Sequence, residues 1–414
     1  LEGRVVMPVD LFTGVPAEAY SDKAALGGIL AEEQSWADKA NKERAQARAQ
    51  MGGGVLISGG SLAGIFMLWR RFGRKHPTSF DGDYYRELPA DYSPAELSVL
   101  WNFNKMKAQD ITATILDLAR RQFLYLEAET IQVKKFLGSK EVMTYRLSFM
   151  PAPQPEALRK PEEAVLKPHE KKLIDYLKND IGGGKDFIYL TDIENYAKKY
   201  GEAFHDFWTE WTGDIIARVD KYKFFDDTGK IKIFTVLGGI VAIILGFVSQ
   251  EKAPYLGYGL IIAGFLFVFI PLRFNRRSVS GQEDYARWEA FKRFLLHFSE
   301  MQRHEIPSLI IWEHYLVYAV TLGVAKEVIK QLEIVFPNMQ EDDYRFGHGW
   351  IYYGAYGSGM NALNNSFDGI GNSFERAVST AQKAASKSSS GSGGGGGFSG
   401  GGGGGGGGGS YGGR

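Results

Sequence analysis

The chain has 414 residues, and its 48 Lys+Arg balance 48 Asp+Glu, so the formal charge is zero. A balanced chain lacks the basic surplus that bulk nucleic-acid binding requires. It contains no cysteine, which excludes disulfide frameworks, thiolate zinc sites, iron–sulfur ligation and cysteine nucleophiles.

The chain opens on Leu1 with no basic region followed by an apolar run. It is therefore expected to be a fragment, or a mature product whose upstream part has been removed. Residues 1–51 are expected to be the end of an extracytoplasmic domain followed by a stalk helix. VVMPVDLF alternates like a strand end, with Pro8 where a strand stops. ILAEEQSWADKANKERAQARAQ is polar and rich in good helix formers.

Three apolar runs of transmembrane length follow, residues 52–69, 233–249 and 256–272. None contains a charged residue, so the groups that ion pathways and proton relays need are missing from the spans. Arg218, Lys221, Lys223, Lys230 and Lys232 precede the second run, and Arg273, Arg276 and Arg277 follow the third. The link between them holds only Lys252. This bias predicts a hairpin with both outer ends in the cytoplasm. Lys39, Lys42, Arg44 and Arg48 before the first run nearly match Arg70, Arg71, Arg74 and Lys75 after it, so continuity assigns residues before Gly52 to the outside. Gly60 and Gly64 form a GxxxG, a pattern that permits close helix packing and is also common in membrane helices generally.

Residues 70–232 read as cytoplasmic. Ser93 and Pro94 mark an N-cap and first helical position. QDITATILDLARRQ places Ile111, Ile115, Leu118 and Ala119 on one face. FLYLEAE reads as a short strand, TIQVKKFLGSKEV as a hairpin arm turning near Gly138 and Ser139, and MTYRLSF as its partner. Helix, helix, strand, turn, strand is the order of a winged-helix unit. A second, looser copy is expected after the proline-rich linker PAPQPEALRKPEE, with a helix over AVLKPHEKKLIDYLKND, FIYL extended, and a long helix opened by Thr191 and Glu194 at capping-box spacing. Only Arg120 and Arg121 offer base-reading chemistry, opposed by Asp110 and Asp117, so protein packing is the expected use. Phe204, Phe207, Trp208 and Trp211 recur at helical spacing, the pattern of a packed core rather than a ligand box.

Residues 273–384 read as a cytoplasmic helical region. Trp288, Phe291, Leu295 and Phe298 fall on one helical face. Leu309 to Ala325 is apolar, but Glu313 and His314 within it argue for a buried helix rather than a fourth span. Met360, Leu363, Phe367, Ile370, Phe374 and Ala377 form a heptad stripe expected to pair with a copy of itself or to lie on the membrane surface. Residues 385–414 are a Gly/Ser-rich tail expected to be disordered, because glycine has no side chain to bury against the entropy of ordering.

His304, Glu305, Glu313 and His314 are the best candidates for a metal or acid–base site, though their spacing matches no HExxH pattern. His169 with Glu170 and the isolated His348 are weaker. His–carboxylate neighbours of this kind are more often capping or core residues. No phosphate loop and no GxSxG elbow is present. No catalytic, cofactor-binding or metal residue is therefore assigned, and no cofactor is expected.

VVMPVDLF with its Ala/Glu/Arg stalk, DITATILDLARRQFLYLE, WEHYLVYAVTLGVAK and the tail FSGGGGGGG, in this order around the apolar hairpin, resemble the domain-of-unknown-function 2207 family of predicted bacterial membrane proteins. The resemblance covers nearly the whole chain. It implies a plasma-membrane protein preceded by a signal sequence and an extracytoplasmic β-rich domain, and it brings no activity or catalytic residues. The fold class expected is an integral membrane, mainly α-helical protein, with three transmembrane helices, α+β winged-helix-like cytoplasmic modules and a disordered tail. The expected function is a non-enzymatic cell-envelope scaffold or signalling protein with the N-terminal end outside, the C-terminal end cytoplasmic, and a protein partner or second copy besides the bilayer. The alternatives are a membrane-bound enzyme with an unrecognised site around His304 and Glu313, and a membrane-tethered DNA binder; nucleic acid is not expected as a partner.

Overall fold

A computed structural model describes residues 7, 11, 13–19, 25–135, 138–151, 160–301, 307–336, 351–352 and 360–389. Helices α1 (Ala25–Leu68), α2 (Pro94–Asn102) and α3 (Ala108–Arg120) precede the hairpin of β1 (Leu124–Lys135) and β2 (Gly138–Phe149). Next come α4 (Pro168–Asp175), β3 (Phe187–Tyr189), α5 (Leu190–Lys199), α6 (Gly201–Val219), α7 (Gly229–Val248) and α8 (Pro254–Phe269). The order ends with α9 (Val279–His297), α10 (Leu309–Thr321), α11 (Ala325–Val335), β4 (Ile351–Tyr352) and α12 (Met360–Ser389). Contacts divide the chain into two units, Leu1–His76 with Phe225–Ser278 and Pro77–Phe224 with Val279–Arg414.

In the first unit, α1, α7 and α8 supply the three helices long and apolar enough to cross a membrane. The 44 residues of α1 run unbroken from the polar stalk into the apolar span, about 66 Å at ~1.5 Å per residue. VVMPVDLF lies almost wholly outside the described residues. Large apolar side chains such as Leu56, Phe66, Phe234 and Phe247 are exposed on these helices, as a lipid-facing surface requires. Ser58 and Ser61 satisfy their hydroxyls on carbonyls of their own helix, Gly54 O at 3.0 Å and Ser58 O at 2.6 Å.

Glycines set the packing, at other positions than the GxxxG. A Cβ on Gly239 would fall 2.7 Å from Gly264 O, and one on Gly246 would fall 2.8 Å from Gly257 O, so α7 and α8 touch backbone to backbone twice. A Cβ on Gly259 would lie 2.7 Å from Gly54 O, which brings α1 equally close to α8. Gly60 meets nothing within 4 Å and Gly64 only the ring edge of Phe267 at 3.5 Å. Beyond the spans a polar collar ties the strands of chain together. Asp226 accepts from Arg276 Nε at 2.5 Å and lies 2.8 Å from His76 Nε2, while Arg276 also donates to Arg71 O at 2.6 Å.

The second unit draws on both sequence regions taken above as separate, because α10 and α12 pack on α3. The order α2, α3, β1, β2 is present, but α3 is buried from Asp110 through Arg120 on every face, so it has no free recognition surface. The expected second copy forms no sheet of its own. β3 instead adds antiparallel to β2, giving the order β3-β2-β1-β4, with the short β4 parallel to β1. β1 is one long strand, and Gly138 and Ser139, expected at a turn, pair with Lys135 and Lys134 as part of β2. The long helix expected after FIYL breaks between Lys199 and Gly201 into α5 and α6. Its cap is also not the expected one: Asp192 accepts from Tyr189 N at 2.9 Å, and Thr191 lies inside the helix.

Aromatic packing forms the core. Trp288, Phe291, Leu295 and Phe298 are fully buried, and Trp312 packs at a tilt against Phe298 with centroids 3.9 Å apart. The 13 residues of α10 span only about 20 Å, short of the ~30 Å hydrocarbon thickness. They pack on α3, as expected of a buried helix. The heptad stripe is also spent inside the chain. Phe367, Ile370, Phe374 and Ala377 are buried as α12 packs on α3, α5 and α6, so that stripe is not free to pair with a copy or to meet lipid. α12 continues to Ser389, past the expected start of the tail, whose remaining residues lie outside the described ones.

Candidate functional site

The densest polar chemistry gathers at the C-terminal end of α3. Apolar residues at Ile111, Ile115 and Leu118 draw the helix into the core, and the sequence then places Asp117, Arg120 and Arg121 at its buried end. Cations suit a helix C-terminus, where unpaired carbonyls gather partial negative charge. Gln122, at φ +60°, turns the chain into β1.

Both arginines face inward and are paired. Arg120 Nη2 lies 3.0 Å from Asp117 Oδ1 and 3.1 Å from Glu163 Oε1. Arg121 bridges Asp117 at 3.0 Å and Glu170 at 2.7 Å, and also donates to Glu163 O at 3.1 Å. Proline at the first position of α4 starts that helix, and Glu170 then accepts from Lys167 N at 2.8 Å while holding Arg121. A second group lies at the start of α2. Ser93 caps that helix, Glu96 returns a bond to Ser93 N at 2.8 Å, and Glu96 is paired with Lys167 and with Arg218 at 3.4 Å. His169 Nε2 lies 3.1 Å from Ser93 Oγ, and Trp211 donates to His169 O at 2.9 Å.

The electrostatics are self-cancelling. Burial alone would raise Asp117, but the Arg120 and Arg121 guanidinium groups outweigh it and hold it near about 2. Burial would likewise raise Glu96, and Lys167 overcomes it to bring the carboxyl below its usual range. Burial pushes Glu170 upward despite Arg121. It also drives His169 down to about 4, so this imidazole is neutral at physiological pH. Four carboxylates thus face four cations, the arrangement that makes buried charge tolerable.

The Ser93–His169 contact does not make a nucleophile. His169 Nδ1 has no hydrogen-bond partner, so no third group orients the ring. The Ser93 hydroxyl already caps α2, and both residues are buried. The adjoining cavity holds about 120 Å³, below the ~300–1,000 Å³ of ligand pockets.

Of the candidates from sequence, His304, Glu305 and His348 lie outside the described residues. Glu313 is half-buried on α10. His314 is buried, faces Tyr318 with ring centroids 5.3 Å apart, and contributes to the field that lowers Asp117. No group of three or more His, Asp or Glu suited to a metal occurs among the described residues. His169 and Glu170, the weaker pair, prove to be central. Arg120 and Arg121 are buried and neutralised, which removes the two residues on which DNA binding depended. Phe204, Phe207, Trp208 and Trp211 are buried, with Tyr176 stacked on Phe207 at 3.6 Å. Sequence reasoning missed Glu96, Glu163 and Lys167. Only the Ser93-x-x-Glu96 spacing signals one of them, as a capping box.

Three helices long and apolar enough to cross a bilayer, with a polar unit built around α3, define the class as a membrane protein. The sequence profile of the predicted membrane protein (DUF2207) C-terminal domain matches residues 81–332, more than half of the chain, and the chain belongs to that family. No curated protein and no solved structure matches it.

Proposed function

We propose that the chain is a non-enzymatic coupling protein of the cell envelope. A stalk on the outside is joined through the bilayer to a cytoplasmic unit that binds a protein partner. The observation that carries this proposal is the unbroken α1, because a continuous helix transmits rotation or tilt between its ends, whereas a hinged one absorbs it. The excess of Arg and Lys at the polar ends of the spans supports a cytoplasmic location for the second unit. Its buried charges cancel among themselves, which supports a structural use of that cluster over a catalytic one.

The absence of cysteine allows a clean topology test. In intact cells, Gln34→Cys is expected to react with a membrane-impermeant maleimide, and Lys185→Cys to react only after lysis. The reverse pattern sinks the proposal. Crosslinking from Lys185→Cys should then capture a discrete partner band, and a Gly-Gly-Pro insertion after Gln50 should alter that capture. Capture that is unchanged by the insertion argues against coupling through α1.

A further inference from the structure

The three spans of the membrane unit are tied together at one end. Arg276 donates to Arg71 O at 2.6 Å, Lys232 to Asn275 Oδ1 at 2.8 Å and Thr228 to Phe274 O at 3.2 Å, which joins the chain leaving α1, the start of α7 and the chain leaving α8. Six cations at this end are exposed: Arg70, Arg71, Arg74, Lys75, Lys230 and Arg273. None of the six is in an ion pair among the described residues. The segments that carry them, 69–76, 225–232 and 273–277, contain just two carboxylates. Asp226 is engaged by Arg276 and His76, and Asp227 accepts from Gly229 N at 3.0 Å.

Like charges held together in this way repel one another, a cost that an external counter-charge removes. Their level along the helices says which counter-charge is within reach. Trp69, 45% exposed, precedes Arg70. Exposed Ile233 follows Lys230 by three residues, and exposed Leu272 adjoins Arg273. A change from apolar to cationic side chains within one turn, with an aromatic ring at the change, marks the depth of lipid headgroups. The long stems of Arg and Lys let their charged heads reach phosphate at that depth. The other end of the unit is different. The link after α7 pairs Glu251 with Lys252 in sequence, and Arg48 stands on α1. Orientation bias requires only that cations lie somewhere in the flanks. It does not require them to be gathered, exposed and without acidic partners.

We propose that this end of the membrane unit binds anionic phospholipid, the six cations drawing net-negative headgroups to the lipids that touch the helices. Phosphatidylcholine offers the same phosphate, but its trimethylammonium cancels the net charge. Preference should therefore follow the charge of the whole headgroup. The proposal holds on whichever side of the membrane this end lies, so it and coupling through α1 can fail separately.

The test is electron spin resonance of spin-labelled lipids on the full chain in phosphatidylcholine nanodiscs. Labelled phosphatidylglycerol should associate at least about fivefold more strongly than labelled phosphatidylcholine, the factor that one Lys or Arg near a charged surface supplies. Sodium chloride at ~1 M shortens the screening length to ~3 Å and should remove most of that preference. Glycerol phosphate at matched ionic strength should displace no more label than the chloride does. Arg70→Gln/Arg74→Gln/Lys75→Gln/Arg273→Gln should cut the preference below about twofold, whereas Arg44→Gln/Arg48→Gln on the stalk should leave it unchanged. Equal association of the two labelled lipids with the wild-type chain overturns the proposal whatever the variants do. Stronger displacement by glycerol phosphate would assign the cations to a soluble anion and overturn it too, as would an equal loss from the stalk pair.

Discussion

Helices α7 and α8 meet where side chains are missing, whereas α3 and α4 are joined where charged side chains are crowded. In the first case Gly239, Gly246, Gly257 and Gly264 let backbones touch, because lipid gives apolar helices no solvent-driven reason to associate. In the second, Asp117, Arg120, Arg121, Glu163 and Glu170 are withdrawn from water and must satisfy one another. The two regions should therefore fail in opposite ways, one by gaining atoms and the other by losing a charge.

The largest effect is expected at Arg121. Arg121→Met strands Glu170 and half-strands Asp117, at a cost of about 3–5 kcal/mol. The double variant Arg121→Met/Glu170→Gln should recover part of that loss. Thermal unfolding followed by tryptophan fluorescence measures both. Equal stability for the single and double variants would mean that the charges are not coupled as the distances indicate.

Next is the pH dependence of His169. Burial lowers this imidazole to about 4 from its ordinary 6.5, so between those values the unfolded chain takes up a proton that the folded chain refuses. Stability from this group is therefore complete above pH ~6.5 and is lost as pH falls towards ~4, by about 3 kcal/mol. Burial raises Asp110 to about 6, which acts with the opposite sign, stabilising the fold as pH falls from 6. Comparing wild type with His169→Gln cancels the Asp110 contribution, since both proteins carry it. The gap between them should shift in the variant's favour from pH 7 to pH 4.5; a constant gap refutes the assignment.

In the membrane unit, Gly239→Leu should force α7 from α8 and cost about 1–3 kcal/mol, whereas Gly60→Leu should cost almost nothing. Resistance to unfolding by dodecyl sulfate distinguishes the two. This pair sets the contact geometry against the sequence motif, because Gly60 belongs to the GxxxG and Gly239 does not.

The same divide explains what could be read from the chain beforehand. The apolar runs, the stalk continuing into the first span, the Ser93 cap and the buried face of α9 all rest on local spacing, and local spacing is written in sequence. The heptad stripe was equally visible, but its partner was not. Periodicity states that Ile370 and Phe374 need cover, not that α3, α5 and α6 provide it. The winged-helix expectation is not shown for the same reason. Element order was recovered, but α10 and α12, contributed from far along the chain, close over the helix that would have been exposed. The charge cluster was half legible. Asp117 with Arg120 and Arg121 falls at helical spacing, but Glu163 and Glu170 reach them only through tertiary structure.

The smallest predicted effect concerns the start of α5, where two local signals compete. Thr191 and Glu194 have capping-box spacing, but Leu190 is buried and begins the helix, which places Tyr189 at the cap and Asp192 at the third helical position. Asp192 then accepts from Tyr189 N at 2.9 Å, and Glu194 is left to pair with Arg376 of α12 at 2.5 Å. Asp192→Ala should cost about 1 kcal/mol, and Thr191→Ala no more than about 0.5 kcal/mol. A larger loss from Thr191→Ala in the same unfolding assay would show that α5 begins two residues later. Leu190, now anchored in the core by its place in the helix, would then have to be held there by the preceding strand alone.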